Sequence, residues 1–119
     1  MSRVHTKRVY DAPESGDGYR VLVDRLWPRG VKKQDLAHDE WLKKIAPSGA
    51  LRRWFGHDPE RFKGFAERYR EELADNEEFD RLAEIAAERP VTLLYAAKDR
   101  EHNHAVVLAD CITNRVKTG

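Results

Sequence analysis

Apolar residues fall along this chain in two patterns: short unbroken runs, and stripes spaced three or four residues apart. Val21-Leu22-Val23, within the segment Tyr19 to Leu26, is one run, and Val91 to Ala96 is another. Runs of this length bounded by turn residues predict buried strands. The second run is continuous rather than alternating, which predicts a strand covered on both faces. Lys7 to Tyr10 predicts a shorter strand, and Asp11-Ala12-Pro13-Glu14-Ser15-Gly16-Asp17-Gly18 reads as a turn-rich connection between the first two strands. Gly30 to Asp35 reads as loop, followed by a helical turn around Trp41, Leu42 and Ile45.

The stripes predict helices, each with its own start and stop signals. Ser48 is placed to cap a helix whose face carries Leu51, Trp54 and Phe55, and Gly56 is placed to end it. Asp58-Pro59 opens the next helix, since proline is tolerated at the first helical position. Phe62, Phe65, Tyr69 and Leu73 form its apolar stripe. Asn76 caps a third helix with Leu82, Ile85 and Ala86 inward, and Pro90 stops it. Ala105, Leu108, Cys111 and Ile112 mark the last helix, and Trp41 and Trp54 read as core. An order of strand, helices, strand, helix predicts parallel pairing of the two main strands. The expected fold is α/β: a small sandwich with a short, mainly parallel sheet flanked by helices, as a single domain over residues 1–119.

Composition narrows the function classes. The chain is 40% hydrophobic and 36% charged, with a net charge of +1. No apolar run approaches the length of about 18 residues that a membrane span needs. The N-terminal Met1 to Thr6 carries no apolar signal core, so a cytoplasmic location is the expectation. A single cysteine, Cys111, excludes an internal disulfide and reads as an inert, buried thiol. The charge is uneven. Residues 20–53 hold nine Lys/Arg against four Asp/Glu, a balance of +5, whereas residues 58–90 hold six against eleven, a balance of −5. The basic block favours an anionic ligand. A pI near 7.9 is low for a committed nucleic-acid binder.

The chemistry concentrates where the two main strands end. If they run parallel, Asp24-Arg25-Leu26-Trp27-Pro28-Arg29 and Lys98-Asp99-Arg100-Glu101-His102-Asn103-His104 emerge on one edge of the sheet, where open α/β sheets bind ligands. Arg25 and Arg29 can hold phosphate or carboxylate in bidentate fashion, assisted by the helix start near Asn103. His104, Asp24 and Asp99 are the acid–base candidates. Trp27 or Tyr95 can stack on a ring, and Lys98 can orient substrate. Each residue also has a structural reading. Asp24 and Arg25 can form ion pairs within their loop, Trp27 can pack the loop, and one of Asn103 and Asp99 can cap the last helix. His102-x-His104 with His57 matches no defined zinc spacing, so no metal and no cofactor are expected. Ser48 reads as a cap rather than a nucleophile, and no phosphate-loop or dinucleotide fingerprint occurs.

The strings Val23 to Gly30, Trp41 to Ser48 and Leu94 to Asp99, followed by Asn103-His104-Ala105, resemble the YeaO-like proteins of the domain-of-unknown-function family four-eight-eight. The resemblance runs from about Lys7 to Ile112 and implies a small bacterial-type α/β protein. Longer relatives carry an Asp-x-Arg string after one strand and a Cys-His-Arg string after another. The resemblance implies that Asp24-Arg25 and Asn103-His104 occupy those places. Asn103 then stands where those relatives have cysteine, so thiol chemistry does not carry over.

The function expected from the residues is an enzyme or sensor for a small anionic metabolite bearing phosphate or carboxylate. The alternative is a nucleic-acid-binding or regulatory module presenting Arg29, Lys32, Lys33, Lys43, Lys44, Arg52 and Arg53 as a basic face. No helix-turn-helix signature supports that alternative.

Overall fold

Strands β1 (Val4–Arg8), β2 (Tyr19–Leu22), β3 (Glu40–Trp41) and β4 (Val91–Tyr95) form one sheet in the order β1-β4-β2-β3, with every pair parallel. This computed structural model describes residues 4–118. Four α-helices complete the α/β fold: α1 (Gly49–Phe55), α2 (Phe62–Ala74), α3 (Glu77–Glu88) and α4 (His104–Thr118).

The helix signals act as their chemistry requires. The Ser48 hydroxyl accepts from the Leu51 N–H at 3.2 Å, and Gly56 ends α1 in the left-handed region at φ 55°. Asp58 caps a short 3-10 turn, Pro59–Arg61, that leads into α2. Asn76 caps α3 by accepting from the N–H groups of Glu78 and Phe79.

The two sheet faces are covered differently. On one face Val21, Val23, Leu93 and Tyr95 pack with buried residues of all four helices, including Phe55, Phe65, Tyr69, Leu82 and Leu108. The other face carries Leu22 and Leu94, covered by Val9, Leu36, Trp27, Val31 and Trp41. So the continuous apolar run of β4 does reflect burial on both faces, but the second cover is mainly the long connection after β2 rather than helices.

Three element boundaries differ from the sequence reading. The first strand starts at Val4 and ends at Arg8, earlier than the expected Lys7 to Tyr10. It is an edge strand with only its first residue buried, so it carries almost no apolar signal. Glu40–Trp41 forms a strand, and the helical turn begins only at Lys43, because Leu42 N–H donates to Leu22 O and keeps the chain on the sheet. The expected strand Tyr19 to Leu26 stops pairing after Val23, whose N–H donates to Leu94 O at 3.1 Å. Beyond it the Asp24 carboxylate takes over the ladder, with Oδ2 accepting the Ala96 N–H at 3.0 Å. The polar end of the β2 run thus parts the two strands and opens a gap between them.

Candidate functional site

The gap at the carboxyl ends of β2 and β4 widens into a cleft of about 660 Å³. One wall is the loop Asp24 to Arg29, another is the segment from Ala46 through α1 to His57, and Ala96, Ala97 and His104 complete the lining. The expected convergence of the two strand ends is therefore present, with Asp24, Arg25, Trp27, Arg29 and His104 on one cleft.

Asp24 organises the floor. Its Oδ2 is held by the Ala96 N–H, and its Oδ1 lies 3.2 Å from Nε2 of His104. The same Nε2 lies 3.0 Å from Val23 O. The Asp24 backbone carbonyl accepts from the Trp41 indole at 2.8 Å. Trp27 stands edge-on to Trp41, with ring centroids 5.3 Å apart, and donates its indole N–H to Val31 O at 2.6 Å. Both tryptophans thus prop the loop that carries Arg25 and Arg29, which is the packing reading of Trp27.

Four guanidinium groups line the cleft: Arg25, Arg29, Arg52 and Arg53. Among the described residues none of the four has a salt-bridge partner or a hydrogen bond from its guanidinium. The loop after β4, which does carry acidic residues, differs: its Arg100 forms a two-pronged bond to Asp11 and holds that carboxyl down at about 2. Asp24 is the one carboxylate among the described residues that line the cleft, and it is already engaged. Leu26, 71% exposed, forms the lip between Arg25 and Arg29. His57, on the opposite wall, is the one non-glycine residue with positive φ among those described, at 56°. Such backbone conformations concentrate at functional sites.

The remaining candidates lie outside the cleft lining. Tyr95 is 1% exposed and belongs to the core; burial pushes its hydroxyl up from the ordinary value. Asn103 is buried, accepts from the Val106 N–H and donates to Asp99 O, so it caps α4. Asp99 accepts from the N–H groups of Glu101 and His102, which hold its carboxyl below the usual range, and also meets the His102 ring. Both residues therefore cap local structure, where the sequence suggested that one would. The Asn103 side chain thus satisfies the Val106 N–H, a first-turn donor that the sequence offers to an anion. Lys98 is exposed beside the cleft without lining it. Among the described residues no three His, Cys, Asp or Glu side chains converge in a way that could hold a metal.

From the sequence, Arg52 and Arg53 read only as part of the alternative basic face, and His57 reads as no part of the cleft. A signal was available: residues 41–57 contain Lys43, Lys44, Arg52 and Arg53 and no acidic residue. The same holds for residues 25–34. The cleft is where these two acid-free stretches face each other. Lys33 and Lys43 are diverted to the faces of Trp27 and Trp41, at 5.9 and 4.3 Å from the ring centroids, and line no part of it.

Known proteins match over nearly the whole chain. The family profile described as "Inactive DUF488-N3 subclade" covers residues 3–119. The chain belongs to this DUF488 subclade. It is 56% identical over 108 residues to the uncharacterized protein YeaO of Escherichia coli (strain K12), spanning 90% of this chain and 94% of that protein. It is 43% identical over 114 residues to the uncharacterized protein Rv3073c of Mycobacterium tuberculosis (strain ATCC 25618 / H37Rv), spanning 96% of this chain and 97% of the relative. No solved structure matches at a significant level. The YeaO-like resemblance read from the motifs is thus the family relationship of this DUF488-N3 chain. Among its described residues no helix is long and apolar enough to cross a membrane.

Proposed function

We propose that this DUF488-N3 protein binds a small anionic metabolite, bearing phosphate or carboxylate, in the cleft between the Asp24–Arg29 loop and α1. One observation carries the reading: four arginines without acidic partners line a single cleft. Like charges gathered in a concave site repel one another, and an anion relieves that repulsion while accepting bidentate hydrogen bonds. A volume of about 660 Å³ suits a whole small molecule rather than a bare ion. The position at the carboxyl ends of parallel strands is where such sheets take ligands.

Binding, rather than turnover, fits the other observations. The family description reads "inactive", and Asn103 serves as a buried helix cap. The Asp24–His104 pair then holds and orients ligand. A nucleic-acid reading calls on three of the same arginines, Arg29, Arg52 and Arg53, but two of its lysines are stacked on tryptophans.

Thermal unfolding with sodium phosphate against sodium chloride at matched ionic strength tests the proposal. Phosphate is expected to raise the melting temperature, because a ligand of the folded state alone stabilises it by about 2.7 kcal/mol at a hundredfold excess over Kd. Arg29→Ala is expected to remove most of that gain. Equal gains in wild type and variant would take Arg29 out of the site, and no gain from phosphate or from a panel of carboxylates would end the anion reading. Tight binding of an oligonucleotide that weakens steeply with salt would favour the nucleic-acid reading instead.

A further inference from the structure

We propose that the ligand of the cleft carries, besides its anion, a hydroxyl or N–H group that donates to Nδ1 of His104. The inference rests on the anion-binding reading and specifies which anions the site prefers.

The argument begins with the inner nitrogen of the ring. Nε2 of His104 lies 3.0 Å from Val23 O and 3.2 Å from Asp24 Oδ1. Both neighbours are acceptors, so Nε2 bears the proton. Asp24 is not free to turn away, because its other oxygen accepts the Ala96 N–H. A neutral imidazole with its proton on Nε2 has a lone pair on Nδ1.

The second step concerns where that lone pair is left. Among the described residues Nδ1 has no partner. Among the described residues no shielded side-chain nitrogen or oxygen lacks a partner, so Nδ1 is open rather than sealed in the core. The ring lines the cleft and its side chain is 16% exposed. Tyr69 packs against the ring edge-on at 6.3 Å but spends its hydroxyl on Ile45 O. The cleft thus offers a fixed acceptor on its floor and guanidinium donors on its walls. A fully ionised phosphate or a simple carboxylate can satisfy only the donors. A molecule with an anion at one end and a hydroxyl or N–H within reach satisfies both.

Calorimetric titration of the full chain with propyl phosphate and glycerol 3-phosphate separates the two claims. The esters match in charge and chain length, and only the second brings hydroxyl donors. Wild type is expected to bind glycerol 3-phosphate about fivefold or more tightly than propyl phosphate, the worth of one ordinary hydrogen bond. In His104→Phe an aromatic ring keeps the packing against Tyr69 while both ring nitrogens are lost, so the preference is expected to vanish. Equal affinities in wild type overturn this inference and leave the anion reading standing. So does a preference that survives in His104→Phe, or a variant that loses both esters equally. If neither ester nor inorganic phosphate binds, both claims fall. Nitrogen-15 spectra of the wild-type ring give a check independent of the variant. They should show the proton on Nε2 and a shift of Nδ1 on adding glycerol 3-phosphate but not propyl phosphate. A proton on Nδ1 in the free protein contradicts the inference.

Discussion

Replacing Gly18 with alanine is expected to destabilise the protein by on the order of 3–5 kcal/mol, at the high end of single-residue effects. Gly18 turns the chain into β2 at φ 66° and ψ −133°, a conformation in which a side chain is strained. A Cβ there would lie 2.2 Å from the carbonyl oxygen of Pro90. That carbonyl also accepts the Tyr19 N–H at 2.9 Å and sets the first step of β2 against β4. Relief of the clash must therefore move the two strands whose far ends form the cleft. Urea unfolding measures the loss; a Gly18→Ala protein within about 1 kcal/mol of wild type would show that this turn yields more easily than its geometry implies.

Asp17→Asn is expected to cost about 2–4 kcal/mol, the range for removing one partner of a buried ion pair, discounted for the partial exposure of Lys7. Asp17 is 5% exposed. One carboxylate oxygen meets Lys7 Nζ at 2.8 Å, and the other accepts from Arg20 Nη1 and from the Glu14 N–H. Its backbone oxygen accepts from the Thr92 hydroxyl. The one residue thus ties β1, the turn before β2, β2 itself and β4. Burial alone would push the Asp17 carboxyl up, but the bonds from Lys7, the Glu14 N–H and Arg20 outweigh it and hold the group below its ordinary value. A depressed folded-state value stabilises the protein above the unfolded pKa, near 4, and that stability is lost as pH falls through the folded value. The gap between wild type and Asp17→Asn should therefore be full at neutral pH and narrow below about pH 4. A gap independent of pH would mean that the loss comes from shape rather than charge.

How much of this was legible depended on the length of each signal. β4, α2 and α3 could be read because Val91 to Tyr95, the stripe Phe62 to Leu73 and the Asn76 cap each extend over several residues. β3 could not, because two residues carry no period, and β1 could not be placed because an edge strand with one buried residue has no apolar face. The cleft's location followed from the polar end of the β2 run. Its composition did not, for two reasons. Arg52 and Arg53 lie on a helix whose Leu51, Trp54 and Phe55 drew attention to the core, while its polar face turned out to line the cleft. Asp99 and Asn103 looked chemical because caps and catalytic groups use the same side chains, and only their distances to backbone N–H groups separate the two uses.

The central claim is that unpaired arginines make this cleft an anion site. Two-dimensional NMR of the labelled protein, titrated with sodium phosphate against a sodium chloride control of equal ionic strength, reads that claim residue by residue. The account predicts saturable shifts at the side-chain Nε–H groups of Arg25, Arg29, Arg52 and Arg53 and at the backbone of Ala96 and Ala97, with little change at the paired arginines Arg81 and Arg100. Shifts spread over all arginines alike and mirrored by chloride, or none in the cleft, would contradict it.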